Sequence, residues 1–144
     1  MRKVIFVDLN NSLVEKVKLL GIESYNYNYF IQALHTERPV LMTASNPYWS
    51  FGGGIDAMFA QQFPELVKYK QVKQGGNERI MNICFVVTVD EHLKATKESV
   101  KSAIQFALDN TEEGETLLLS GVGTGIGGLS QESFVGVLRE VLKI

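Results

Sequence analysis

Two glycine-rich stretches and one aspartate are the residues of this chain best suited to chemistry. The first stretch, 51-FGGGID-56, follows an apolar run and opens a helical pattern, and the second, 121-GVGTGIGG-128, does the same near the other end. Glycines let backbone N–H groups approach a ligand with no side chain in the way. The start of a helix adds about half a positive charge and outward-pointing donors, which suits phosphate oxygens. One such loop is usually a flexible turn. Two of them at strand-to-helix junctions point instead to a clamp around a diphosphate. Asp56 puts a carboxylate at the first junction, either as a ligand contact or as an acid complementing the helix dipole, worth about 0.3–1 kcal/mol. A carboxylate so placed also suits chemistry in which it stabilises a developing positive charge and orients an attacking water.

Other chemistries are excluded by what the sequence lacks. No glycine run ends in Gly-Lys-Ser/Thr, so there is no Walker-type loop. Gly123, Gly125 and Gly128 satisfy GxGxxG, but a dinucleotide fingerprint needs another strand and an acidic residue about 20 positions on. Only sixteen residues follow Gly128. His35 and His92 have no second ligand at metal spacing, so neither metal nor cofactor is expected. Ser120 and Ser130 sit in no Gly-x-Ser-x-Gly elbow. Cys84, within 83-ICFVV-87, reads as a buried core thiol. Acidic residues number 16 against 14 basic, so bulk charge would not hold this chain on nucleic acid. The cations of 65-ELVKYKQVKQGGNER-79 read as a solvated helix end and turn rather than a nucleic-acid patch. Met1-Arg2-Lys3 is followed by only four apolar residues before Asp8, unlike a secretory leader. No apolar run reaches the ~18 residues of a membrane span, and a soluble, cytoplasmic setting without membrane partners is expected.

The elements that must position these loops alternate along the chain. Residues 3–7 read as a buried strand, with Ser12 and Glu15 at capping-box spacing for a helix that stops at Gly21. A short strand at 22–27, a short helix at 28–35 and a strand at 39–44 follow. A helix starts near Gly54, 80-IMNICFVVTV-89 reads as one central strand, and a helix spans roughly 91–110. A strand at 116–121 and a closing helix carrying Phe134, Val137, Leu138, Val141 and Leu142 complete the pattern. The expectation is a single α/β domain over 1–144, a three-layer α/β/α sandwich with a mixed, largely parallel sheet. Both glycine loops then fall at the carboxyl edge of the strands, where such sheets bind ligands.

The residues also carry a family resemblance. The stretch 43-TASN-46 followed by 52-GGGID-56 resembles the first signature of macro domains, and 118-LLSGVGTGIGG-128 resembles the second. The resemblance implies a cleft for ADP-ribose or a close derivative. Gly52, Gly53, Gly54 and Ile55 would line one side of its diphosphate, and Gly123, Thr124, Gly125 and Ile126 the other. Ala44, Ser45, Phe51, Gly121, Val122 and Gly127 would join the ligand-binding set. In hydrolytic members the aspartate polarises a water and the asparagine orients the ribose; Asp56 and Asn46 occupy those positions.

Departures from the pattern leave several readings open. Thr43 stands where the motif begins with asparagine. No Asp lies between Asp8 and Asp56 to read the adenine, which leaves Asp8, Asn26 or Asn28 for that contact. Gly127 replaces an aromatic that often covers the distal ribose. Trp49 or Phe51 either takes over that cover or staples the loop to the body, and the alternating Tyr25, Tyr27 and Tyr29 fit either adenine stacking or a half-buried strand. The functional expectation is binding of ADP-ribose, or of an ADP-ribosylated macromolecule. Hydrolysis of ADP-ribosyl bonds or of ADP-ribose 1''-phosphate is the catalytic branch. A non-catalytic reader and a macro-like interaction domain are the alternatives.

Overall fold

The computed structural model describes residues 3–144; Met1 and Arg2, which begin the segment read above for a leader, lie outside the described residues. The elements are β1 (Lys3–Asp8), α1 (Asn11–Lys18), β2 (Ser24–Asn26), α2 (Tyr29–Leu34), β3 (Pro39–Ser45), α3 (Gly54–Gln62), α4 (Pro64–Lys73), β4 (Glu78–Ile80), β5 (Ile83–Val87), α5 (Lys97–Asp109), β6 (Thr116–Leu119) and α6 (Gln131–Leu142). They build one sheet in the order β2-β1-β6-β3-β5-β4, parallel except for the β4–β5 edge pair.

Side chains alternate across the strands and feed two cores. Phe6, Met42, Cys84, Leu117 and Leu119 face a layer carrying Val14 of α1, Ile104 of α5 and Phe134 of α6. Ile5, Val7, Leu41, Phe85 and Leu118 face Tyr29 of α2, Phe59 of α3 and Val67 of α4. Because the central strands are apolar toward both faces, they appear in the sequence as continuous runs. Cys84 is fully buried, and desolvation pushes its thiol up to about 11. Among the described residues no helix is long and apolar enough to cross a membrane.

Four local expectations are corrected. The first helix is capped by Asn10, whose Oδ1 accepts from Leu13 N (3.2 Å), while Ser12 donates to Gln131 Oε1 instead. The apolar run 80–89 is a hairpin: Met81 takes a positive φ of 55° and turns β4 back onto β5, with Ile80 opposite Ile83. The helix expected from 91 begins at Lys97, because Asp90 Oδ1 accepts from both His92 N and Lys94 N and holds a loop. The segment 65–79 is a helix end and an exposed turn as expected, but two of its cations are not solvated: Lys70, in the helix that Pro64 starts, is buried, and Arg79 grips both Glu115 oxygens at 2.7 Å. That bidentate pairing holds the Glu115 carboxyl down at about 2.

Candidate functional site

The cleft originates in a split of the sheet. β3 and β6 are registered only at Pro39↔Thr116 and Val40↔Leu117, after which they diverge. The Tyr29 hydroxyl fills the gap, donating to Leu118 O (2.7 Å) and accepting from Met42 N (2.8 Å). This buried phenol satisfies backbone groups that a continuous ladder would have paired, and it leaves the carboxyl ends of the two strands apart. Their two loops therefore border a common cleft of about 940 Å³.

The first rim is the start of α3. Gly53 caps it in extended conformation (φ −165°, ψ 169°) with no side-chain hydrogen bond. The first-turn N–H groups of Gly54, Ile55 and Asp56 thus lack an intrahelical partner. A Cβ on Gly52 or Gly53 would meet no protein atom within 4 Å, so the fold itself does not demand glycine there. The second rim is different. A Cβ on Gly123, at φ +83°, would lie 2.6 Å from Val100 Cγ2, and one on Gly127 would lie 2.8 Å from Gly123 O. Here tight packing of the loop on α5 and on residues 89–95 requires glycine. Asp8 braces this rim from below: its Oδ2 accepts from Gly121 N (2.8 Å) and its Oδ1 from Asn10 N (2.8 Å).

Asp56 lies on the cleft wall, 6% exposed, with Thr43 Oγ1 donating to its Oδ1 at 2.6 Å. Thr43, in the place of the motif's asparagine, is therefore the clamp on the carboxylate. Desolvation raises the Asp56 carboxyl from 3.8 to about 6, against the lowering effect of Thr43 and Ser45. Ser45 Oγ, also buried, contributes to that lowering yet makes no hydrogen bond of ordinary geometry among the described residues. A raised folded-state pKa means that the native protein binds this proton more tightly than the unfolded chain does. Stability is then highest below pH 4 for this group and is lost as pH rises through about 6. Asp56→Asn should stabilise the protein by about 2 kcal/mol at pH 7 and by little at pH 4. Urea unfolding of both forms at the two pH values checks this, and a pH-independent difference contradicts it.

The two loops bring most of the expected residues together. Asp8, Asn28, Ala44, Ser45, Asn46, Gly52, Gly53, Gly54, Ile55, Asp56 and all of 121–127 line the cleft. Asn46 also shapes its own loop, accepting from Tyr48 N (3.0 Å) and donating to Ser50 Oγ (2.6 Å). Phe51 does not belong to the lining. It is buried against Trp49 and Phe85, and Trp49 Nε1 donates to Gly75 O (2.8 Å), so both aromatics staple the loop to the body. Nor does Gly127 leave an open wall. It admits the 90–95 loop, whose Ala95 N donates to Gly127 O (2.9 Å) and whose Leu93 lines the cleft. Of the three alternating tyrosines, Tyr29 is core, Tyr25 is exposed outside the cleft, and Tyr27 is exposed within it.

Sequence reasoning missed Leu9, Asn10, Ser50, Met58, Thr88, Val89, Leu93 and Ser120 in the lining. Leu9 and Leu93 carry a readable signal, being large apolar side chains in the polar loops that follow β1 and β5. Met58 lies in the second turn of α3, where nothing local distinguishes it from a core position.

No protein-family profile and no curated protein matches this sequence. Among solved structures, the chain is similar to the macrodomain of Mycobacterium tuberculosis DarG, with a TM-score of 0.56 at 15% identity. The match covers 74% of this chain and 81% of that one. The fold is that of a macrodomain.

Proposed function

We propose that this domain binds ADP-ribose or a closely related NAD-derived nucleotide, with the diphosphate between the Gly52–Gly54 and Gly123–Ile126 rims. The observation that carries the reading is the meeting of both rims, with unpaired helix-start N–H groups on one of them, around the same 940 Å³ cleft. Gly52 and Gly53 point the same way, since nothing in the protein explains the absence of their side chains, whereas Gly54 is called for by its positive φ of 60°. Asp56 then receives a ribose hydroxyl as donor beside Thr43, and Asn46 fixes the loop that borders it.

Calorimetric titration with ADP-ribose, AMP and ribose 5-phosphate tests this. Micromolar binding corresponds to about 8 kcal/mol, and ADP-ribose should exceed both fragments by at least about 100-fold because only it spans both rims. Absence of heat with all three, with folding intact, would leave an interaction domain on this fold. Hydrolysis at the anomeric carbon is the second reading, favoured by a buried carboxyl poised near pH 6. In that step water bonds to the anomeric carbon, Asp56 takes its proton, and the leaving group departs with the bonding pair. Release of phosphate from ADP-ribose 1''-phosphate, or of ADP-ribose from a modified protein, should then disappear in Asp56→Asn. Equal turnover in that variant removes Asp56 from the chemistry, and no release with the native chain leaves a reader.

A further inference from the structure

We propose that Ser45 is a positioning residue for Asp56: its hydroxyl is a second donor, beside Thr43, that turns onto the carboxylate and keeps it an acceptor when a ligand fills the cleft. This deepens the nucleotide reading above and rests on it. Side chains alternate along β3, so Thr43 and Ser45 project to the side of the sheet that α3 covers, while Ala44 between them packs against the opposite core. Thr43 is already bonded to Asp56 Oδ1 (2.6 Å). Ser45 is 2% exposed and lines the cleft with Asp56, and its Oγ is the one buried side-chain polar atom with no hydrogen-bond partner among the described residues.

A buried hydroxyl without a partner destabilises a fold and calls for an explanation. Alanine would hold the same place on the strand and leave nothing unpaired. The hydroxyl hangs on a single rotatable bond, so a change of χ1 rotamer redirects it with no movement of the strand. Asp56 is the group it serves: burial raises that carboxyl to about 6, and Thr43 and then Ser45 act against the rise. No charged side chain is among those causes. Of the elements packed on α3 and β3, α4 directs its buried Lys70 to Gln74, Gly76 and Glu78, and β5 turns Cys84 to the opposite core. The other titratable groups lining the cleft are Asp8, which accepts from Asn10 N and Gly121 N, Tyr27, and Tyr29, whose hydroxyl is fixed between β3 and β6. The two β3 hydroxyls are therefore what favours the ionised form of Asp56.

A ligand makes the second donor matter. A nucleotide in the cleft excludes water from Asp56, and loss of water favours the protonated acid. Once protonated, the carboxyl lacks the charge that strengthens a bond from a ribose hydroxyl, and it can no longer take a proton from an attacking water. A hydroxyl that is unbonded before the ligand enters and donates to Asp56 afterwards offsets this shift.

The test is NMR titration of the Asp56 carboxyl, with and without saturating ADP-ribose, in the native chain, Ser45→Ala and Thr43→Val. Thr43→Val removes the bond already formed and so sets the scale. Without ligand it should raise the Asp56 midpoint by about one pH unit, the tenfold that one lost hydrogen bond to a carboxylate is worth, and Ser45→Ala should raise it by less. With ADP-ribose bound, Ser45→Ala should raise it by as much as Thr43→Val does. The affinity of Ser45→Ala for ADP-ribose should match the native value near about pH 8.5 and fall off about one pH unit earlier on acidification. A bound-state midpoint that Ser45→Ala leaves unmoved, or an affinity loss equal at every pH, overturns the role of Ser45 and leaves the nucleotide reading standing. Absence of ADP-ribose binding by the native chain at any pH removes both.

Discussion

Gly53→Asp should abolish nucleotide binding and leave the fold as stable as before. Gly53 caps α3 with no side chain, its backbone is already extended, and a Cβ there meets nothing within 4 Å. Aspartate is a preferred cap residue whose oxygen accepts from the second or third helical N–H, for a gain over glycine of a few tenths of a kcal/mol. The same oxygen takes the donors that a phosphate would use, and its charge opposes the phosphate. Affinity for ADP-ribose should fall by at least about 100-fold, or roughly 2.7 kcal/mol. The melting temperature should stay the same or rise slightly. Titration and a thermal melt on one preparation read both effects. If binding survives, the first rim does not hold the diphosphate. If instead the variant unfolds, the account of this helix start is wrong. The opposite result is expected of the second rim, where the fold itself needs Gly123 and Gly127. A single glycine-rich motif class thus has two physical origins in this chain.

This difference bears on what the sequence could reveal. The layered architecture was legible because β1, β3, β5 and β6 are apolar toward both faces and are followed by patterns of helical period. The cleft was legible because each glycine loop follows a strand, and parallel strands put such loops on one edge. The long-range contacts were not. Tyr29 is one of three tyrosines at period two, and nothing local says that its hydroxyl holds β3 and β6 apart while its neighbours face outward. The Met81–Asn82 reversal carries no glycine or proline; it depends on Asn82, whose Nδ2 donates to Pro39 O and whose carbonyl accepts from Leu41 N. Phe51 looked like a ligand contact because aromatic loop residues often are. Its burial is settled by Trp49 and Phe85, the second of which is far along the chain.

The deepest case of a hidden long-range role is Lys70, which gives the second large prediction. Its side chain is 1% exposed, and its Nζ donates to Gln74 O (3.0 Å), Gly76 O (2.8 Å) and Glu78 Oε1 (3.0 Å). The same ammonium sits 4.4 Å from the centre of the Trp49 ring. A buried charge is tolerated only with its hydrogen-bonding capacity filled, and here three acceptors and a ring face fill it. Lys70→Met keeps the stem volume and removes every one of those bonds, leaving two carbonyls facing an apolar end. Glu78 retains Lys73 as a partner, so the cost should fall at the low end for breaking a buried pair, about 3 kcal/mol. For a domain of this size that corresponds to a loss of roughly 10 °C in Tm. The effect should reach the ligand, because the 74–76 turn that Lys70 ties down accepts the Trp49 indole through Gly75 O. Trp49 and Phe51, both at positive φ, set the path of the chain into Gly52–Gly54. ADP-ribose affinity, measured well below the new Tm, should drop about 10-fold. Exposed Lys73→Met should change neither property measurably. A native melting temperature for Lys70→Met would show that the buried ammonium is not what secures the turn. Lost stability with intact affinity would show that the aromatic staple holds the glycine rim without it.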